Sequence, residues 1–207
     1  YPVATRALGE DLVRHGIALL DAPVSGGVRR ARDGTLAIML GGNDAAAIAR
    51  AEPVLAAMGR VFRTGPLGSG HALKALNNFV SAAGLAAACE AVLVGERFGL
   101  EPDVIVEVLN ASTGRNNATE NKLRQFVLSR DFRSGFALSL MAKDVGFAAD
   151  LARELDCDMP TLAATTLLFR AASEALGPAA DHTEIARHLE AGATGGPGGA
   201  APHGRTR

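Results

Sequence analysis

"SGHALKALNNFVSAAGLAAACEAVLVGERFG" (residues 69–99) decides how the chain is read. Apolar residues stand on nearly every side of it. As one helix of roughly 30 residues it would be ~45 Å long. A helix that is apolar all round belongs in the centre of a helical domain or at a subunit interface. The turn before it, "GPLGSG" (65–70), looks like a phosphate loop. It has neither the Walker lysine spacing nor the G-x-G-x-x-G spacing, so it reads as a strand-to-helix turn.

Upstream of that turn the pattern alternates. Residues 2–15 have a helical period, with Val3, Leu8, Leu12 and Val13 spaced for one face. "GIALLDAPV" (16–24) reads as a buried strand and "GTLAIMLGG" (34–42) as a second. "NDAAAIARAEPVLAAMG" (43–59) reads as a helix capped by Asn43 or Asp44 and stopped by Gly59. Pro53 predicts a kink or break within it. "RVFRTG" (60–65) is a third strand. Residues 1–67 therefore read as the end of an α/β sheet.

Downstream, over 68–190, the chain reads as all helix. Pro102 opens one helix, and Asn117 with Glu120 suggests a capping box for another. "ALSLMAKDVGFAADLARELD" is amphipathic, "MPTLAATTLLFRAASEALG" runs from Pro160 to Gly177, and Asp181 with Glu184 repeats the capping box. Residues 191–207 are rich in Gly, Pro and Ala and are expected to be disordered.

The composition narrows the function. Of 207 residues 48% are hydrophobic and 21% charged, with a net charge of −1. No broad field for nucleic acid or an anionic membrane follows from that balance. With one Tyr and no Trp, stacking platforms are scarce. Cys89 and Cys157 have no metal-type spacing, so a reducing, cytoplasmic setting is the expectation. No signal peptide and no charge-free apolar stretch of membrane-spanning length is read. "NAS" (110–112) and "NAT" (117–119) are read as chance matches to the glycosylation pattern.

Two places could carry chemistry. In "DAPVSGGVRRARDGTL" (21–36), Gly26-Gly27 lets backbone N–H groups approach a ligand, and Ser25 adds a hydroxyl. The turn reads either as an anion cradle or as a tight connection between strands. On the long helix, Lys74 and Asn78 are four apart and share one face. A lysine in "HALKALNNFV" must snorkel out or be used, and a partly buried one exchanges protons nearer neutrality. His71, one turn earlier, competes for the acid/base role. Lys143-Asp144 alone says little.

Taken in order, "DAPVSGG…GTLAIMLGG", "GSGHALKALNN" and "LMAKDV" resemble the β-hydroxyacid dehydrogenase family over about residues 1–190. The resemblance implies the C-terminal part of a Rossmann domain. An all-α domain of the 6-phosphogluconate dehydrogenase C-terminal type follows, in a dimer or tetramer. It implies NAD or NADP as cofactor and a small β-hydroxyacid as substrate. Ser25, Gly26 and Gly27 would hold the substrate carboxylate. Lys74 would be the general acid/base and Asn78 its neighbour on the substrate. Lys143 would lie by the nicotinamide, and Asp144 would help fix its helix. Arg30 stands where many members have glycine; it is expected to point to solvent, the other reading being a cation near the mouth that favours a more acidic substrate. The chain opens on Tyr1-Pro2 and shows no G-x-G-x-x-G fingerprint. A fragment, inactive by itself, is therefore expected. A non-catalytic binding protein on the same fold is the alternative.

Overall fold

The computed structural model describes residues 1–194. Its first part contains α1 (Pro2–Val13), β1 (Leu20–Asp21), β2 (Val24–Ser25), α2 (Gly27–Arg32), β3 (Leu36–Gly42), α3 (Ala45–Ala56) and β4 (Gly59–Gly65). β3 is the hub. β1 and β2 pair antiparallel with it, from Leu20↔Gly42 through Ser25↔Ala37, and β4 pairs with it in parallel. Leu36, Ile38, Met39 and Leu40 of β3 are buried.

The run read as one buried strand is thus two short pieces in a single register. Pro23 interrupts them because it has no N–H for the ladder. Its carbonyl still accepts from Met39 N at 3.0 Å. The only residue of the two pieces that is buried is polar, Asp21. The Ser25 turn does not stay a loop but leads into α2, a helix not expected from the sequence. α1 forms, but Val3, Leu8 and Val13 are exposed, and it is Pro2 and Gly9 that are buried. Asp44 caps α3 by accepting from Ala47 N, and α3 runs through Pro53 without a break. Pro53 has no N–H to donate to the Ala49 carbonyl, so the helix carries it with that one hydrogen bond missing.

The long helix, α4, spans Ser69–Phe98, 30 residues without interruption. Gly68 and Gly99 flank it at φ 88° and 99°. Its length and hydropathy would also suit a membrane span. Here it is the axis on which β3, α5 (Pro102–Ala111), α6 (Asn117–Asn121), α7 (Leu138–Glu154), α8 (Pro160–Leu176) and α9 (Ile185–Thr194) pack. Leu85, Val92, Val106, Leu123, Leu138, Val145, Phe169 and Ile185 make that core.

Two caps differ in detail from expectation. Asn116, not Asn117, caps α6, with Thr119 as its reciprocal partner, and the chain continues as a π-helical turn over Leu123–Leu128. Asp181 and Glu184 form the expected box, on a 3₁₀ turn (His182–Glu184) leading into α9. Residues 191–194 of the expected disordered tail belong to α9. Residues 195–207 lie outside the described residues.

Candidate active site

The site grows from the joint between sheet and helix. Asp21 is 2% exposed. Its Oδ1 accepts from Gly68 N at 2.7 Å and its Oδ2 from His71 N at 2.8 Å. An α-helix begins with unpaired N–H donors and a partial positive charge. Gly68 has no side chain to cap them, so the carboxylate of Asp21 does so from β1. Asn43 Oδ1 takes the Leu67 N–H at 3.0 Å. These donors of the "GPLGSG" turn are therefore committed inside the protein, which explains why it resembles a phosphate loop without its spacing. Gly70 lets the helix sit on the sheet: a Cβ there would meet Met39 O at 2.1 Å.

From this fixed start, α4 carries Lys74 and Asn78 toward α7. Asn78 is buried, and its Nδ2 donates to Asp144 Oδ2 at 2.7 Å. Its Oδ1 accepts from Asn77 Nδ2 at 3.2 Å. The amide orientation is therefore set from both ends, and one N–H is left over. Lys143 Nζ lies 3.7 Å from Asp144 Oδ1 and over the Phe147 ring. The Lys74 amine has no hydrogen-bond or ion-pair partner among the described residues. Burial pulls its pKa below the usual lysine value, and the Asp144 charge only partly opposes this.

α4 and α7 thus bring Lys74, Asn78, Lys143 and Asp144 together. Asp144 reaches the neighbouring helix, where its Oδ2 accepts from Asn78 Nδ2. Asp21 is the residue the pattern reading overlooked. Its signal was a lone carboxylate inside "GIALLDAPV", which needs partners if that run is buried.

The Ser25–Gly27 turn lies across the sheet, tied to β3 through Ser25↔Ala37. No hydrogen bond joins it to the Lys74 cluster among the described residues. Gly26 and Gly27 have φ of 137° and 64°, which only glycine adopts readily. Arg30 is exposed, as expected, but its stem folds back: Arg30 Cβ and Cδ lie 2.7 Å from where a Gly26 Cβ would be. On the far side of Lys143 a cleft of about 370 Å³ between α7 and α8 is lined by Phe147, Asp150, Arg170, Ser173 and Glu174. Lys143 lines it too, whereas Lys74 and Asn78 do not. Among the described residues no cluster suits a metal ion.

Residues that could hold a nicotinamide dinucleotide are present in part. Lys143 is half exposed and offers a cation beside Asp144.

Both parts of the chain are similar to known proteins. Residues 68–189 match a family model described as the NAD-binding domain of NADP-dependent 3-hydroxyisobutyrate dehydrogenase. Residues 1–67 match that of the NAD-binding domain of 6-phosphogluconate dehydrogenase. The chain is 36% identical over 169 residues to 2-(hydroxymethyl)glutarate dehydrogenase of Eubacterium barkeri, covering 81% of this chain and 56% of that one. It is 38% identical over 175 residues to 3-hydroxyisobutyrate dehydrogenase of Pseudomonas aeruginosa, covering 81% and 58%. Among solved structures, Mycobacterium tuberculosis 3-hydroxyisobutyrate dehydrogenase with L-serine superposes at a TM-score of 0.83 with 31% identity. That match covers 91% of this chain and 66% of the other. The chain thus spans less than two thirds of the length of these relatives. On the two family models, the identities and the shared fold, the chain belongs to the β-hydroxyacid dehydrogenase family.

Proposed function

We propose that the protein is an NAD- or NADP-dependent oxidoreductase that interconverts a small β-hydroxyacid and its semialdehyde or keto acid. The observation that carries this is the Lys74 amine. It is partly buried and unpartnered, and one turn away stands an Asn78 amide whose orientation Asp144 fixes. A bound nicotinamide would supply the hydride acceptor or donor.

In oxidation, neutral Lys74 Nζ takes the proton of the β-hydroxyl, and in reduction its ammonium form returns it. The free N–H of Asn78 holds the substrate oxygen beside Nζ. Ser25 and the Gly26–Gly27 backbone receive the substrate carboxylate. Lys143 steadies the nicotinamide end of the cofactor, and Asp144 keeps Lys143 and Asn78 in register. Residues 1–67 act as the dinucleotide-side domain and residues 68–190 as the substrate-side domain. The free thiols of Cys89 and Cys157 suit a cytoplasmic enzyme.

A second copy of the chain is the partner we assign to α4. Leu73, Leu76, Val80, Val94 and Phe98 remain exposed along it, up to 83% at Phe98. Such a row marks an interaction surface.

The test is a titration of the full-length protein with small β-hydroxyacids and NAD⁺ or NADP⁺, following the absorbance of reduced nicotinamide. Hydroxyacid-dependent reduction is expected. Its absence across linear and branched three- to five-carbon acids, with either cofactor, would contradict the assignment.

A further inference from the structure

We propose that His71 relays the proton between Lys74 and bulk water, an inference that rests on the dehydrogenase reading of Lys74. His71 is in the first turn of α4, three residues before Lys74 and seven before Asn78. At helical spacing these three side chains share one face, with His71 and Lys74 Cβ atoms about 5–6 Å apart. Two observations fix the ring. His71 Nδ1 is 3.1 Å from Thr5 Oγ1 and 3.5 Å from Asp21 Oδ2. The Thr5 hydroxyl gives its own proton to Tyr1 O at 3.0 Å, so Nδ1 must be the donor toward Thr5.

The neutral ring is therefore the Nδ1–H tautomer, with a bare Nε2. That nitrogen has no partner among the described residues, and the side chain is 39% exposed. Behind the ring, the Asp21 carboxylate is almost fully buried and held by two backbone N–H groups. A fixed carboxylate behind a histidine orients the ring and holds its Nδ1–H in place. Lys74 needs such an outlet. It is partly buried, and Asp144, whose charge acts on it, is engaged by Asn78 and Lys143.

The proton steps balance without any change of oxidation state. During oxidation the β-hydroxyl O–H breaks and the proton goes to Lys74 Nζ. An ammonium N–H then breaks as a bond forms to His71 Nε2, directly or through one water. The imidazolium passes the proton from Nε2 to bulk water, and Nδ1–H stays in place throughout. Reduction runs the same steps backward.

His71→Asn separates relay from scaffold. Its amide keeps an N–H donor for Thr5 and Asp21 but removes Nε2. In dilute buffer, hydroxyacid oxidation by His71→Asn should fall by about tenfold or more, within the range of general acid–base catalysis. Added imidazole should restore it in proportion to concentration, while leaving wild type and Lys74→Ala unchanged. If wild type itself shows no hydroxyacid-dependent reduction, the dehydrogenase reading falls and the relay with it. If wild type turns over and His71→Asn matches it, or is slow without responding to imidazole, only the relay is overturned. Nitrogen NMR of the wild-type histidine rings tests the premise independently of activity and of the variant's folding. The Nδ1–H tautomer is expected for His71, and the Nε2–H tautomer would overturn the proposal.

Discussion

At the scale of the residue, the proposed chemistry rests on how Asn78 and Lys74 are held. The two were legible in the sequence, because a four-residue spacing puts both on one helix face. Their controls were not legible. Asp144 is 66 positions from Asn78, and only the packing of α7 on α4 joins them. Asp144→Ala removes a charged acceptor from a buried amide, a loss of about 1.5–3 kcal/mol for hydrogen bonds of this kind. With the Asn78 amide free to turn, kcat should fall by about tenfold or more, a factor that follows from the lower end of that range. Steady-state kinetics of Asp144→Ala and Asp144→Asn against wild type check this, and an unchanged kcat in both would refute the role. Burial also sets a pH dependence. Because the Lys74 pKa lies below the free value of about 10.4, the neutral base gains population as pH rises through that lowered value. Oxidation should therefore rise with pH, and reduction should fall, along one titration that shifts upward when Lys74 is made more exposed. Rates of both directions measured across pH decide it.

At the scale of the element, two carboxylates do the work of caps. Asp21 closes the N-terminus of α4 from another element, so no local pattern around Ser69 shows it. Asp21→Ala leaves the Gly68 and His71 N–H groups without partners, each buried orphan costing about 1–3 kcal/mol. Denaturant unfolding should show the loss, and hydrogen exchange should quicken first at Gly68–His71. An α4 start that exchanges as slowly as in wild type would contradict the capping role. Asp181 was legible, since its partner Glu184 follows at the capping-box spacing. What the spacing does not show is its reach. It accepts from Ser134 Oγ at 2.8 Å and from the Gly135 and Phe136 N–H groups at 2.9 and 3.2 Å, pinning that loop to the start of α9. Burial alone would raise its pKa. Hydrogen bonds from His182, Thr183 and Ser134 override burial and hold the carboxyl well below the usual range. A carboxyl depressed in the folded state stabilises the fold above its unfolded pKa of about 3.9 and loses that contribution as pH falls toward the folded value. Asp181→Asn should therefore be less stable than wild type at neutral pH, and the gap should narrow as pH drops below about 4. Thermal melts of the two proteins across pH test this, and a gap that is constant with pH would contradict it.

At the scale of the molecule, the sequence divides where the structure changes character, at the turn before α4. The hydrophobic pattern of the sequence changes at the same turn, from alternating elements to one long apolar helix. The burial of α1 and the shape of β1 and β2 were not legible, because periodicity assigns a face without saying what covers it. The exposed row on α4 is also a whole-molecule property. Val80→Glu and Phe98→Glu should each lower the mass found by sedimentation without unfolding the chain, and an unchanged mass in both would remove α4 as the assembly surface. The proposed chemistry turns on one amine, that of Lys74. The most direct test of the account is turnover of a β-hydroxyacid by full-length Lys74→Ala, measured together with nicotinamide cofactor affinity. The account predicts a fall in kcat of about 10²-fold or more with cofactor affinity retained, whereas turnover equal to wild type would contradict it.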